Sequence, residues 1–288
     1  MNANIQGSET RQRARSWQQG PLPALLVAGA VLAAAATTLS WLTGLSPRSQ
    51  LVMAIGWMLF SLLLITAYRP PASRTRFGAA NTVTLARAML AFLLAGLAFE
   101  VGLPGGFAEG LTDGLTDGLT DGLTDGLSEV EWSARWAWMV SGIALLALAL
   151  DGVDGPIARA TGQESSFGAR FDMETDAFLA FVLAVYIVRS GELGYWILAL
   201  GTLRYAFVAA SWCVPALTAE LYPSQRRKVV CVLQIAALCL IVSPALTATP
   251  SLLLGAVATL ALSASFLRDV HWLLSRASAP PHTSSQRS

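Results

Sequence analysis

The chain has 288 residues, 54% of them hydrophobic and 13% charged, with a mean hydropathy of +0.55. Those values exclude an ordinary soluble domain and place the chain among polytopic membrane proteins. The net charge of +1 decides little, no nucleic-acid partner is expected, and the distribution of charge carries the information.

Residues 1–20 form a polar tail with Arg11, Arg13 and Arg15. An apolar run follows from Leu22 to about residue 45. It is about twice the usual signal-peptide length, and further spans follow, so it reads as a first transmembrane helix. About 20 apolar residues cross a bilayer core at 1.5 Å rise each. That rule predicts eight spans, at about 22–45, 51–68, 81–101, 134–150, 175–189, 194–214, 229–246 and 250–267. The fifth is short and extends back into the polar stretch before it.

Residues 21–68 are thus two extra helices, and residues 79–274 a six-helix domain, with a linker between them carrying Arg69, Arg74, Arg76 and Pro70-Pro71. Residues 102–133 form an external loop, and 275–288 a disordered tail. Cys213, Cys231 and Cys239 lie in apolar segments without CxxC spacing, which excludes a zinc site or a disulfide framework and suggests buried, inert thiols.

With the N-terminus cytoplasmic, fourteen basic residues fall on that side (Arg11, Arg13, Arg15, Arg69, Arg74, Arg76, Arg159, Arg170, Arg226, Arg227, Lys228, Arg268, Arg276 and Arg287). Only Arg48, Arg135 and Arg189 fall opposite. The positive-inside rule then puts both termini and residues 151–176 in the cytoplasm, which is the inner-membrane arrangement if the chain is bacterial.

Four of the nine aspartates lie in residues 151–176, DGVDGPIARATGQESSFGARFDMETD, between two apolar runs. Asp151 and Asp154 are three apart and Asp172 and Asp176 four apart, so on helices each pair shares a face. Two helix ends joined by a turn near 160–167 could aim four carboxylates at one point. Hard divalent cations such as Mg²⁺ or Mn²⁺ take such oxygen ligands and commonly hold substrate phosphates as well. Gly155, Ala158 and Gly168 are small enough to admit a nucleotide or to pack helices closely. Arg159 offers a phosphate-matching fork.

This stretch resembles the signature of the CDP-alcohol phosphatidyltransferase family, D-x2-D-G-x2-A-R-x8-G-x3-D-x3-D, with every fixed position present. Asn81-x2-Thr84-x2-Arg87 opens the third span as members open their first core helix. Arg226-Arg227-Lys228 followed by Gln234 is similar, less specifically, to a basic loop and glutamine of many members.

The resemblance implies a six-helix all-α membrane bundle with a cytoplasmic site, here extended by two N-terminal helices, and homodimers such as members often form. It implies transfer of a phosphatidyl group from a CDP-linked lipid, usually CDP-diacylglycerol, to an alcohol, with release of CMP. By the same resemblance Asp151, Asp154, Asp172 and Asp176 hold two divalent cations, and Asp176 is also the general base. Asn81, Thr84, Arg87, Gly155, Ala158, Arg159 and Gly168 line the nucleotide. Arg170, Arg204, Arg226, Arg227 and Lys228 are candidates for the acceptor, which favours glycerol 3-phosphate or an inositol phosphate. Serine, a phospholipid headgroup, or diacylglycerol accepting from a CDP-amino alcohol fit the same motif.

Blander readings compete at several positions. Asn81 and Thr84 could cap the third helix. Arg170 fits a simple positive-inside residue, and Arg204, costly in mid-span, could pair with Glu174 or an aspartate. Arg226, Arg227 and Lys228 could contact anionic headgroups, since membrane lipids surround the chain. A divalent-cation transporter would place its carboxylates near mid-membrane, and a dead homologue would have lost motif aspartates.

The external loop repeats GLTD with period four from Gly110. Calcium β-helix repeats have a different period and glycine pattern, so the repeat reads as an acidic connector expanded by slippage. Deleting the repeats is expected to leave CMP release unchanged; lost activity in a deletion variant that keeps its wild-type melting temperature would overturn that reading.

Overall fold

The computed structural model describes residues 20–68, 77–101, 125–160, 165–218 and 225–277. Among them every regular element is helical: α1 (Leu22–Thr43), α2 (Pro47–Ala67), α3 (Ala79–Glu100), α4 (Asp125–Ala160), α5 (Ser166–Arg189), α6 (Leu198–Cys213), α7 (Gln225–Val242) and α8 (Ala248–Ala277). Short 3₁₀ turns at Tyr195–Ile197 and Pro215–Thr218 flank α6. The result is a polytopic helical bundle. The linker at 69–76, most of the GLTD loop and both tails lie outside the described residues.

Six segments, in α1, α2, α3, α4, α6 and α8, are long and apolar enough to cross a membrane. The apolar part of α7, Val229–Val242, is shorter, and α5 carries Arg170, Asp172, Glu174 and Asp176 in its first half. α5 begins at Ser166, so the helix over the fifth expected span runs back into the polar stretch. Two boundaries differ from expectation. α4 begins at Asp125, inside the last GLTD unit, and α8 continues to Ala277. Glu129, Glu131, Ala134 and Arg135 in the first region and Arg268, Leu273, Leu274 and Arg276 in the second are good helix formers, whatever the mean hydropathy around them.

α3 is the axis of the bundle. Two thirds of its apolar window is buried, against 17–22% in the other five spans, and it packs against α1, α2, α4 and α5. α5 joins α6 and α7, and α8 closes on α6 and α7. The outer faces of α1 and α2 expose Leu26, Val27, Leu59, Leu62 and Leu63, a surface suited to lipid.

Lipid tails are as apolar as leucine, so helices associate through close packing and polar contacts. Small residues make that possible here. Gly29 of α1 receives the Trp57 indole, Gly56 of α2 receives the Phe92 ring, and Gly96 of α3 receives Met53; a Cβ at any of the three would collide with its partner. Gly201 of α6 lies so close to the backbone of Phe181 in α5 that no larger residue fits. Aromatic contacts continue the seam from α2 through α3 to α5, with Trp57 edge-on to Phe92 at 5.8 Å and Phe92 against Phe178 at 4.7 Å.

The ends of the bundle are tied differently. At the end away from the aspartates, Glu100 closes α3 and caps α2. Its carboxylate accepts from the Ser46 N–H at 3.2 Å, the Ser46 hydroxyl at 2.8 Å and the Ser49 hydroxyl. A carboxylate at a helix N-terminus meets both unsatisfied N–H groups and the positive end of the dipole. Nearby, Arg189 donates from Nε to the carbonyl of Val101 at 2.6 Å and from Nη2 to that of Phe99 at 3.0 Å, capping α3.

Of the three cysteines, Cys239 is buried, Cys231 half-buried and Cys213 exposed. The expectation of buried thiols is therefore corrected at Cys213: it ends α6, on a turn that faces outward rather than into the bundle.

Candidate active site

Three helices bring the site together. α4 runs without a break through the first half of the motif, although Pro156 supplies no N–H to the carbonyl of Gly152. Ser165 then caps α5, its hydroxyl accepting from the N–H of Gly168 at 3.0 Å. This places Asp172 and Asp176 one turn apart at the start of α5. α3 approaches from the other side and supplies Arg87.

Asp151, Asp172 and Asp176 each turn a carboxylate oxygen into one cluster, all within 4.8 Å of one another. At that separation each like-charge pair repels by about 3 kcal/mol for an effective dielectric constant of about 20. Three carboxylates would not stay together without a cation, and Arg87 is that cation. Its side chain is fully buried. Nη2 pairs with Asp151 at 2.8 Å and with Asp176, and Nη1 pairs with Asp172 at 2.5 Å. One guanidinium against three carboxylates leaves a formal charge of −2 in this group. Hard oxygen donors with a surplus negative charge suit a divalent cation. The donor set therefore fits the magnesium or manganese expected from the sequence.

Other expected site residues fall into distinct settings. Asn81 donates from Nδ2 to the carbonyl of Phe77, and its Oδ1 stands beside Gly168, where a Cβ would come within 2.8 Å. Gly168 is thus the point where α5 closes on the first turn of α3. Thr84 is buried and donates to the carbonyl of Ala80 at 3.2 Å. Neither side chain acts as the cap of α3, which starts after Gly78 at φ 88°. A Cβ on Gly155 would find its nearest neighbour, Arg159 Nη1, only at 3.5 Å. That is ordinary van der Waals contact, so Gly155 has room for a methyl group, whereas Gly168 is closed by packing. Arg159 and Arg170 are exposed. The side chains of Asp154, Ala158, Arg227 and Lys228 lie outside the described set.

Arg204 is held by Glu174, with Nη2 on one carboxylate oxygen and Nε on the other at 3.4 Å. Arg226 reaches across to Asp269 of α8 at 3.3 Å. Gln234 donates to the carbonyl of Leu200, tying α7 to α6. Sequence reasoning left Asp269 without a role. A single aspartate in an apolar last span was its signal, because a buried carboxylate there needs a partner.

Residues 124–266 match the family model of CDP-alcohol phosphatidyltransferase. No curated protein and no solved structure matches the chain significantly. The matched segment begins with α4 and ends within α8, so α3 and the last turns of α8 lie outside it, yet α3 supplies the central cation of the site.

Removing that cation leaves carboxylates unbalanced, and breaking a buried ion pair costs on the order of 3–5 kcal/mol. Arg87→Gln is therefore expected to lower the melting temperature of the metal-free protein in detergent and to make it steeply dependent on added Mn²⁺. An unchanged melting curve without metal would contradict the counter-ion role of Arg87.

Proposed function

Residues 124–266 are a CDP-alcohol phosphatidyltransferase domain, and from that premise we propose that the chain transfers a phosphatidyl group from CDP-diacylglycerol to glycerol 3-phosphate in phospholipid synthesis. The family carries out transfer from a CDP-alcohol to an alcohol acceptor. The convergence of Asp151, Asp172 and Asp176 on Arg87 is the observation that carries the proposal.

In this reading the nucleotide lies between the start of α3 and Gly155. Asn81, Thr84 and Arg159 line it, together with Ala158, and Gly168 keeps α5 close to Asn81. Asp176 takes the proton from the acceptor hydroxyl. The acceptor oxygen forms a bond to the lipid-bearing phosphorus, and the bond from that phosphorus to the oxygen of CMP breaks, its electron pair leaving with CMP. Two divalent ions, held by Asp151, Asp154, Asp172 and Asp176, would offset the charge building on the transferred phosphoryl and leaving groups. Arg87 then exchanges carboxylate partners for substrate phosphate, a swap its fork geometry suits. The aspartate end faces the cytoplasm, where CMP and acceptor are exchanged, and the homodimer expected from the resemblance leaves this site within each chain.

Arg204 is assigned to the acceptor phosphate, with Glu174 holding its guanidinium in place. Arg170, Arg227 and Lys228 supply further positive charge on that side.

Two measurements test the proposal. Purified chain in detergent with CDP-diacylglycerol and Mg²⁺ or Mn²⁺ is expected to release CMP with glycerol 3-phosphate, and not with inositol 1-phosphate, inositol or serine. Chelation should abolish release, and Asp176→Asn should cut it by at least about 100-fold, the lower range for a general base. Release with a different acceptor alone would replace the acceptor assignment, and metal binding without release from any would refute the donor. Arg204→Ala should raise the KM for glycerol 3-phosphate more than that for CDP-diacylglycerol; the reverse order would remove Arg204 from the acceptor site.

A further inference from the structure

Five aromatic rings join the two N-terminal helices to the start of α5. Tyr68, the residue that ends α2, stands edge-on to Phe167 and to Phe77, with ring centroids 5.0 and 5.7 Å away. The Phe171 ring lies 6.1 Å from that of Phe60 in α2 and 6.3 Å from that of Phe77, just before α3. Phe167 and Phe171 close the cluster at 5.9 Å. Phe60, Tyr68 and Phe77 lie outside the segment matched by the family model, whereas Phe167 and Phe171 lie within the aspartate motif.

The rings meet α5 where little else holds it. From Ser166 to Glu174, Phe171 is the one buried side chain, and Ala169, Arg170, Met173 and Glu174 are exposed. Phe167 and Phe171 are four residues apart and share a face. Asp172 follows Phe171 by about 100° around the helix axis, with Asp176 one turn beyond it. The aromatic face therefore fixes how α5 is rotated, and that rotation decides whether both carboxylates meet Arg87. Like-charge repulsion favours any rotation that separates them from Asp151. Ring contacts of defined geometry oppose it.

We propose that the two N-terminal helices brace the metal ligands. Tyr68 and Phe60 hold Phe167 and Phe171, and these set the rotation of α5 that aims Asp172 and Asp176. Tyr68 and Phe60 are positioning residues, acting through the rings they touch. The proposal rests on the preceding reading only in taking those aspartates as metal ligands.

The full chain in detergent is read in two ways: hydrogen exchange at residues 170–176 without metal, and Mn²⁺ affinity by electron paramagnetic resonance. Tyr68 is half-buried and stands past the last turn of α2, so Tyr68→Ala should fold. It is expected to speed exchange there by about tenfold, because local opening becomes easier. Its Mn²⁺ affinity should fall by about tenfold, the lower range for groups that support metal ligands. Tyr68→Phe keeps the ring and should match wild type in both. Leu32→Ala, a buried truncation in α1, should lower the melting temperature and leave both readouts unchanged. The brace is overturned if Tyr68→Ala keeps wild-type exchange or wild-type affinity, if Tyr68→Phe does not restore them, or if Leu32→Ala shifts them equally. A wild type that binds no Mn²⁺ would instead remove the aspartates as metal ligands, and exchange in Tyr68→Ala would then decide the brace by itself.

Discussion

A buried arginine among carboxylates is the constraint on which the rest of this structure rests. Arg87 lies on the helix most enclosed by its neighbours, and its ion pairs reach two other helices. Neither partner arrangement is stable alone: the carboxylates repel, and an unpaired guanidinium inside a bundle is costly. Helices α3, α4 and α5 therefore come together as a set. That set carries the carboxylate cluster, so the interaction that assembles the bundle also collects the candidate metal ligands.

The opposite end is governed by another kind of contact. Glu100 satisfies backbone and hydroxyl donors at the start of α2, and Arg189 satisfies carbonyls at the end of α3. These are caps, local and short in reach, and they hold no surplus charge. The contrast separates the two tasks of the central helix. Its C-terminal end anchors the two N-terminal helices, and its N-terminal half gathers charge that a divalent ion or a phosphate can exploit. Between the ends, glycines facing Trp57, Phe92 and Met53 supply the close packing that a bilayer does not drive on its own.

Much of this was legible in the sequence. Apolar runs of membrane length announced the helices, and the spacing of the motif announced the shared focus of Asp151, Asp172 and Asp176, because both are one-dimensional patterns. The extent of α4 and α8 was not, since hydropathy marks where lipid begins and says nothing of where a helix stops. The pairing of Arg87 with the aspartates was also hidden: residue 87 is 64 positions from the first aspartate of the motif, and no local period links them. Arg204 with Glu174 was among the readings the sequence allowed, and the direct contact of the two side chains across α6 and α5 selected it. Asp269 had no motif to belong to, and only its contact with Arg226 gives it a place.

The close approach at Gly201 carries a mechanical consequence. Where a helix backbone rests directly on another, the two cannot slide past each other without collision, so Gly201 against Phe181 fixes the axial register of α6 on α5. One turn farther along α6 stands Arg204, facing Glu174 two turns back along α5. The height of that guanidinium above the aspartates is thus set by a glycine buried well inside the bundle, in the way a pin sets the reading of a sliding scale. Substrate discrimination at the polar end would then depend on a packing residue that touches no ligand.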